Sequence, residues 1–467
     1  MNKTIKKVIS LFLVFTFIFI TTSCGSKLEM KQDNFSVMNN AEIIGELNGK
    51  ISPKENFVEI RFSQETTFDT VLLKEKGNNI LNFSVWVENE NGEFVSVYQQ
   101  DRIGEYRYCE IGKHTAKAIR IYIDSVTESK YNLKYIDVLN VDNNRNDDFR
   151  VTSYIVCQWF YGNENIEVKK INTLTDVILF GVARFDENGN VYLQDLDING
   201  EVVSGDKIFK EVIADIKSIN PNIKIHCNIL GPDGADSDDK EKLHSQAFSK
   251  NNTVLIDNIL DLLKTYSFDG IFFDYEYPHK LKSIKDYSDF LVELDANLNN
   301  YILGAAFSHW SCNISKAAIE VLDRVEIMAY DNMGEFGSHA EFATVGGAVA
   351  VKDFEKRGYD LSKCDLGLPF YGRTHEGDEA WPSYAQIAGD LDNNPFKNKI
   401  SKSYMTGETN GEVYTSFNGV QMIKDKTAFA NDYGLGGVMV WHYSCDVEYE
   451  SEMSLFKAIQ NSLETRE

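Results

Sequence analysis

Ser267-Phe268-Asp269-Gly270-Ile271-Phe272-Phe273-Asp274-Tyr275-Glu276-Tyr277-Pro278 is a short apolar run that carries three carboxylates and closes on a proline. It is too short for a buried helix and has no helical period, while its β-branched and aromatic residues favour a strand. Side chains on a strand alternate between faces, so Phe272, Asp274 and Glu276 share one face and Ile271, Phe273 and Tyr275 the other. In a barrel the second set packs on the surrounding helices and leaves both acids inside. Two carboxylates side by side at a buried strand end repel each other, and desolvation also disfavours their charged forms. At least one pKa should therefore rise, which is how a general acid is kept protonated near neutral pH. A solvated Asp and Glu at a strand end would read the same way, so the neighbouring strands must decide.

Those neighbours alternate with helices, the pattern of a parallel α/β sheet or barrel. Candidate strands are 153–158, 176–182, 223–229, 270–275, 302–307, 324–330, 366–369 and 437–441, enough to close an eight-stranded (β/α)8 TIM barrel. Helical periodicity is clearest over 253–265, with Val254, Ile256, Ile259, Leu260 and Leu263 on one stripe, and over 284–298. The span of about 320 residues exceeds a minimal barrel and leaves room for a small insertion between the seventh and eighth strands, near 376–420. Barrel chemistry sits at the C-terminal ends of strands. Asp274 and Glu276 end the fourth strand, Tyr330 and Asp331 the sixth, Tyr371 and Arg373 follow the seventh, and Trp441 ends the eighth. Each alone has a plainer reading as core, cap or surface ion pair; four strands in agreement point to a catalytic barrel.

The motifs carry a resemblance. Asp269-Gly270-x-x-x-Asp274-x-Glu276-Tyr277-Pro278 resembles the signature of family 18 glycoside hydrolases, the chitinases and endo-β-N-acetylglucosaminidases, with Phe272 where the family has its middle Asp. Met328-Ala329-Tyr330-Asp331, Leu366-Gly367-Leu368-Pro369-Phe370-Tyr371-Gly372-Arg373 and Leu435-Gly436-Gly437-Val438-Met439-Val440-Trp441 are similar to the family's later strand motifs, in the same order. The resemblance implies substrate-assisted retaining hydrolysis of β-linked N-acetylglucosamine glycans, an exception to the usual two-carboxylate scheme. Glu276 would protonate the glycosidic oxygen, and the substrate's own acetamido oxygen would attack the anomeric carbon. Asp274 would hold the acetamido N–H, Tyr330 its carbonyl, Asp331 the bound sugar, and Trp441 would make an apolar floor. Tyr371, Arg373 and Phe272 would complete the binding wall. No cofactor and no metal is implied. Phe272 cannot share a proton with Asp274, so an altered pH optimum, or a surface lectin of little turnover, is the alternative; peptidoglycan remodelling is another.

The rest of the chain frames this unit. Residues 1–24 have a basic start at Lys3, Lys6 and Lys7, an apolar run over 8–20, then Thr21-Thr22-Ser23 before Cys24. This reads as a secretory signal whose end resembles a bacterial lipoprotein processing site, with lipid attachment at Cys24, residues 25–40 as a tether, and a place on the outside of the cell envelope. From 41 to 142, short alternating runs at 57–62, 83–87 and 118–123 are separated by turn signals such as Asn89-Glu90-Asn91-Gly92, as in an all-β sandwich. Trp86 alternates with core positions and reads as packed. Stretches 68–75, 91–94, 102–107 and 119–121 resemble discoidin-like (coagulation factor 5/8 type C) domains, which implies a galactose-binding-like jelly roll with carbohydrate or spacer duty. The polar run 140–148 is the expected boundary, placing the catalytic unit at 150–467.

Composition bounds the partners. With 43% hydrophobic residues the chain can bury two cores, and a net charge of −24 makes nucleic acid and anionic lipid surfaces poor partners, leaving a neutral glycan open. The cysteines at 109, 157, 227, 312, 364 and 445 form no C-x-x-C pair and read as buried free thiols, and the eight histidines show no metal-ligand spacing. Trp159, Phe160 and Tyr161, after the first strand, are candidates for either the cleft or the core.

Overall fold

The computed structural model describes residues 35–50, 56–128, 130–141, 148–163, 165–232, 237–332, 339–375, 381–404 and 413–464. Cys24, the signal-like segment before it and most of the expected tether lie outside the described residues.

Seven antiparallel strands come first: β1 (Ala41–Ile44), β2 (Asn48–Lys50), β3 (Phe57–Glu75), β4 (Ile80–Glu88), β5 (Phe94–Asp101), β6 (Arg107–Val126) and β7 (Lys130–Leu139), in the order β2-β7-β3-β6-β4-β5 with β1 on β3. The run 57–62 and the discoidin-like stretch 68–75 are the two halves of one strand, β3. Register shifts between Arg61 and Thr66 and between Phe68 and Thr70 bend this long strand. Its first half then pairs with β1 and its second with β7. The bent strands enclose one core of Val58, Ile60, Phe68, Val71, Phe83, Val85, Ile119 and Ile121, as a β-sandwich requires. Trp86 is half-buried against Tyr122, ring centroids 5.3 Å apart.

The barrel begins with β8 (Arg150–Val156) and β9 (Asp176–Phe185). An excursion not foreseen in the sequence follows: β10 (Val191–Leu193) folds back on β9, and β11 (Leu196–Ile198) pairs with β12 (Glu201–Val203). Next come β13 (Lys224–Leu230), β14 (Gly270–Phe273), β15 (Ile302–Phe307), β16 (Arg324–Ile327) and β17 (Cys364–Pro369). The expected insertion forms a small sheet of β18 (Arg373–Thr374), β19 (Lys399–Ile400) and β20 (Thr415–Ser416) before β21 (Gly437–Trp441). The eight barrel strands are parallel, and β21 and β9 both pair with β8, which closes the ring.

Alternation sorts the side chains as expected. Ile271 and Phe273 join the outer core under the helices, whereas Phe272 joins Tyr154, Ile178 and Met439 inside the barrel. Several limits move. The first strand stops at Val156, and Cys157–Phe160 turns helical, so Gln158 is not in a strand. The fourth and sixth strands stop at Phe273 and Ile327, short of 275 and 330. Helix Asn252–Tyr266 buries Leu255, Ile256, Ile259, Leu262 and Leu263, while Val254 is exposed, so the apolar stripe is rotated from the expected one. The six cysteines beyond Cys24 are buried and free.

Helix Val420–Tyr433, between the insertion and β21, joins the two halves of the molecule. All its residues but Lys424 are buried, as in a helix packed on every side. Tyr106 and Tyr108 of the sandwich meet Phe429 edge-on at 5.9 and 6.1 Å. Tyr98 donates to Asp425 Oδ2 at 2.6 Å, and Gln421 Nε2 donates to the Glu110 carbonyl at 2.8 Å.

Candidate active site

The described cleft at the C-terminal end of the barrel spans about 510 Å³, open to solvent at its mouth, and is lined by Tyr154, Asp274, Glu276, Tyr277, Tyr330, Asp331, Trp381 and Trp441, with Ala306, Ser308 and Met328. Because β14 ends at Phe273, the chain carrying Asp274 and Glu276 has left the sheet, and both carboxyls stand at the barrel mouth. Asp269, the third acid of the run, lies at the other end of the strand and accepts the Ile225 N–H at 2.8 Å, a tie between β13 and β14.

Asp274 and Glu276 share a hydrogen bond. Burial, and then the charge of Glu276, push the Asp274 carboxyl well above the usual carboxylate range. Asp274 Oδ1 is enclosed and has no hydrogen-bond partner, and neither has the Tyr154 hydroxyl on the barrel floor. Glu276 itself is exposed to the cleft, with Tyr277 beside it, whose hydroxyl accepts from Ser308 Oγ at 3.5 Å. The peptide bonds Glu276-Tyr277 and Trp441-His442 are cis.

Phe272 sits directly below this pair. Its register partner on β15 is Gly304, where a Cβ would come within 2.2 Å of the Phe272 ring, so the glycine makes the room that the ring fills. Among the described residues, Phe272 packs there with Tyr154, Ile178 and Met439.

The remaining expected residues converge. Tyr330 is half-buried in the wall of the cleft, its hydroxyl 4.0 Å from Met439 Sδ, and desolvation raises its pKa well above that of an ordinary phenol. Trp441 is wedged edge-on against Tyr154 and Phe180 at 5.2 and 5.0 Å, which leaves its face as part of the cleft. Asp331, in a left-handed backbone conformation at φ 56°, accepts from the Tyr371 hydroxyl at 2.8 Å and from Arg373 Nε at 2.8 Å and Nη2 at 2.6 Å. Tyr371 and Arg373 thus orient Asp331 and are not themselves among the lining residues, nor is Phe272, which packs inside the barrel below them.

Sequence reading missed two tryptophans. Trp381 is half exposed, stacks on Tyr371 at 5.0 Å and carries the Arg373 guanidinium 3.4 Å over its ring. Trp310, beyond β15, packs on Tyr277 at 4.3 Å and His279 at 5.9 Å with its other face open. Position alone could have found Trp310, since it follows the C-terminal end of a barrel strand. Of the three residues after β8, Phe160 is core, Tyr161 is half-buried, and Trp159 is exposed against His442 at 4.9 Å, outside the lining set.

What the arrangement can do follows from the spacing of its acids. Two carboxyls in hydrogen-bond contact leave no gap for a sugar or a water between them, unlike the roughly 5–5.5 Å and 6.5–9.5 Å separations of two-carboxylate glycosidases. Asp274 is the carboxyl whose protonated form burial favours.

The family model for Glycosyl hydrolases family 18 matches residues 150–446. Endochitinase 1 of Metarhizium robertsii is 23% identical over 321 residues, covering 58% of this chain and 75% of that protein. Chitinase A1 of Niallia circulans is 23% identical over 332 residues, covering 56% of this chain and 47% of that protein, so the match spans about half of its length. Among solved structures, the GH18 chitinase ChiB from the chitin utilization locus of Flavobacterium johnsoniae superposes with a TM-score of 0.54 at 24% identity, over 68% of this chain and 94% of its own. A Nicotiana tobaccum class V chitinase mutant in complex with NAG4 gives 0.54 at 16% identity, over 68% of this chain and 100% of its own.

Proposed function

Because the chain belongs to the glycosyl hydrolases of family 18, we propose that it hydrolyses β-linked N-acetylglucosamine glycans by substrate-assisted retaining catalysis. The observation that carries this reading is the Asp274–Glu276 contact. With the two carboxyls touching, the second cannot reach the anomeric carbon from the opposite face of a bound sugar, so the nucleophile must come from elsewhere. A 2-acetamido oxygen on the substrate supplies it. Glu276, open to the cleft, delivers the proton to the leaving oxygen and later takes one from water. Asp274, enclosed beside it, holds the acetamido group in place. Tyr330 and Tyr154 present hydroxyls from the floor, and the faces of Trp441 and Trp381 suit the apolar C–H surfaces of pyranose rings. Chitin-type oligosaccharides and the chitobiose core of N-glycans both meet these requirements.

Phe272 supports a second reading, a lectin of little turnover, since Asp274 has no proton partner other than Glu276 within the pair. Hydrolysis of a fluorogenic N,N′-diacetylchitobioside across pH 4–8 separates the two. Turnover by the full chain that falls roughly 10²- to 10⁴-fold in Glu276→Gln, with oligosaccharide affinity kept, supports the hydrolase. Affinity for N-acetylglucosamine oligomers without release supports the lectin.

A further inference from the structure

The wall of the cleft is braced from the N-terminal sandwich. Arg107, the first residue of β6, is fully buried where the two halves meet. Its Nη1 donates to Glu341 Oε1 at 3.2 Å, its Nε donates to the Tyr98 hydroxyl at 3.3 Å, and its Nη2 lies 3.6 Å from Asp425 Oδ2. The guanidinium also sits 5.5 Å over the Phe342 ring. A lysine would not reproduce this geometry, two hydrogen bonds from one planar fork with an ion pair beside them.

Glu341 ends a turn of three residues that is tied at each position. His339 N–H donates to Ser416 Oγ at 2.7 Å, and Lys426 Nζ donates to the Ala340 carbonyl at 2.8 Å. Ala340 has φ 52°, a left-handed conformation that alanine seldom adopts, so these partners hold the turn in shape. The His339 ring, 1% exposed, lies 5.0 Å from Tyr371. Tyr371 in turn donates to Asp331 and stacks on Trp381, both of which line the cleft.

We propose that Arg107 is a positioning residue for the active site: through Glu341 it fixes the 339–341 turn on which Tyr371 rests, and so sets Asp331 and Trp381 at the cleft mouth. Removing the guanidinium leaves the Glu341 and Asp425 carboxyls buried without their partner, so they take up a proton or turn toward water, and either way the hold on Glu341 is lost. The turn moves with Glu341, and Tyr371 loses its backing. The acid pair just beyond β14 lies on another wall, so the effect falls on sugar binding rather than on proton transfer.

This inference takes from the functional reading only which face is the cleft, and its test is arranged accordingly. In the full chain, Arg107→Met and Arg107→Lys are compared by melting temperature, by KM and kcat on the fluorogenic chitobioside, and by the fluorescence of Trp381 without ligand, taken as the difference from Trp381→Phe in the same background. Arg107→Met is expected to shift the Trp381 signal and to raise KM about tenfold with a smaller change in kcat, given that ~1 Å of misplacement can cost roughly 10²-fold. Arg107→Lys should recover part of both. An unchanged Trp381 signal and KM, even with a lower melting temperature, would make Arg107 merely structural and sink the proposal. If the chain turns over no substrate, the ligand-free Trp381 signal decides alone, so failure of the hydrolase reading is told apart from failure of this one. If Arg107→Met does not fold, Arg107→Lys is read by the same criteria.

Discussion

At the scale of the residue, Phe272 shows how one side chain reshapes its surroundings. A ring at this level of the barrel requires that its neighbour on β15 have no side chain, and Gly304 meets that requirement. Gly304→Ala should therefore clash with a buried ring that has no free volume to enter, and overpacking of this kind costs about 1–3 kcal/mol. The same substitution in a Phe272→Leu background should cost less, and urea unfolding of the four proteins in the cycle gives the coupling directly. Equal costs in both backgrounds would mean that the strands shift to absorb the methyl. The departure of Phe272 from its family pattern was legible in the sequence; its compensation by Gly304 was not, because the pairing register of two strands about thirty residues apart is set by the closed sheet. Trp381 escaped notice for a related reason: it reaches the cleft from the insertion, and only the stack on Tyr371 brings it there.

At the scale of the element, strand ends carried more information than strand limits. Asp274, Tyr330, Tyr371 and Trp441 were legible because barrel strands place their C-terminal ends on one face. Where each strand stops was not, since Asp274 and Glu276 read as continuing an alternation that the backbone abandons at Phe273. Composition cannot report that departure, because tertiary contacts at the mouth decide it. The helix Leu455–Glu464 is capped by Ser454, whose Oγ accepts the Lys457 N–H at 3.2 Å, and by a residue further upstream. Asp446 Oδ1 accepts the Leu455 N–H at 3.0 Å, and Oδ2 accepts the Phe456 N–H at 3.0 Å and the Ser454 hydroxyl at 2.8 Å. Asp446 thus caps the helix from nine residues upstream while following the strand that ends at Trp441. Asp446→Ala would orphan two buried backbone donors, and a loss of about 2–4 kcal/mol is expected from caps and unsatisfied groups together. Chemical denaturation of the full chain measures it. A loss under about 0.5 kcal/mol, the size of an ordinary surface change, would show that water replaces the carboxylate.

At the scale of the molecule, the sandwich and the barrel share helix Val420–Tyr433, and its buried Lys426 makes that union depend on pH. Lys426 Nζ donates to the Ala340 carbonyl and to Asn418 Oδ1, so it holds the same turn that Arg107 reaches through Glu341. Burial pulls its pKa from 10.5 down to about 7. Between these values the unfolded chain keeps a proton on this lysine that the folded chain has released, so the unfolded state binds more protons and stability rises with pH. The contribution is complete above about 10.5 and is lost as pH falls toward 7, at up to about 1.4 kcal/mol per pH unit. Other buried groups titrate in the same range, so the informative quantity is the difference between the full chain and Lys426→Met. Urea unfolding at pH 7.5, 8.5 and 9.5 should show the full chain gaining on the variant at each step. Parallel pH profiles would mean that Lys426 stays charged in the fold, its ammonium held by the Ala340 and Asn418 oxygens strongly enough to outweigh burial. In that case the junction is braced by two buried cations, Lys426 on the turn and Arg107 behind it, and the pH dependence of the union must come from the carboxylates they face.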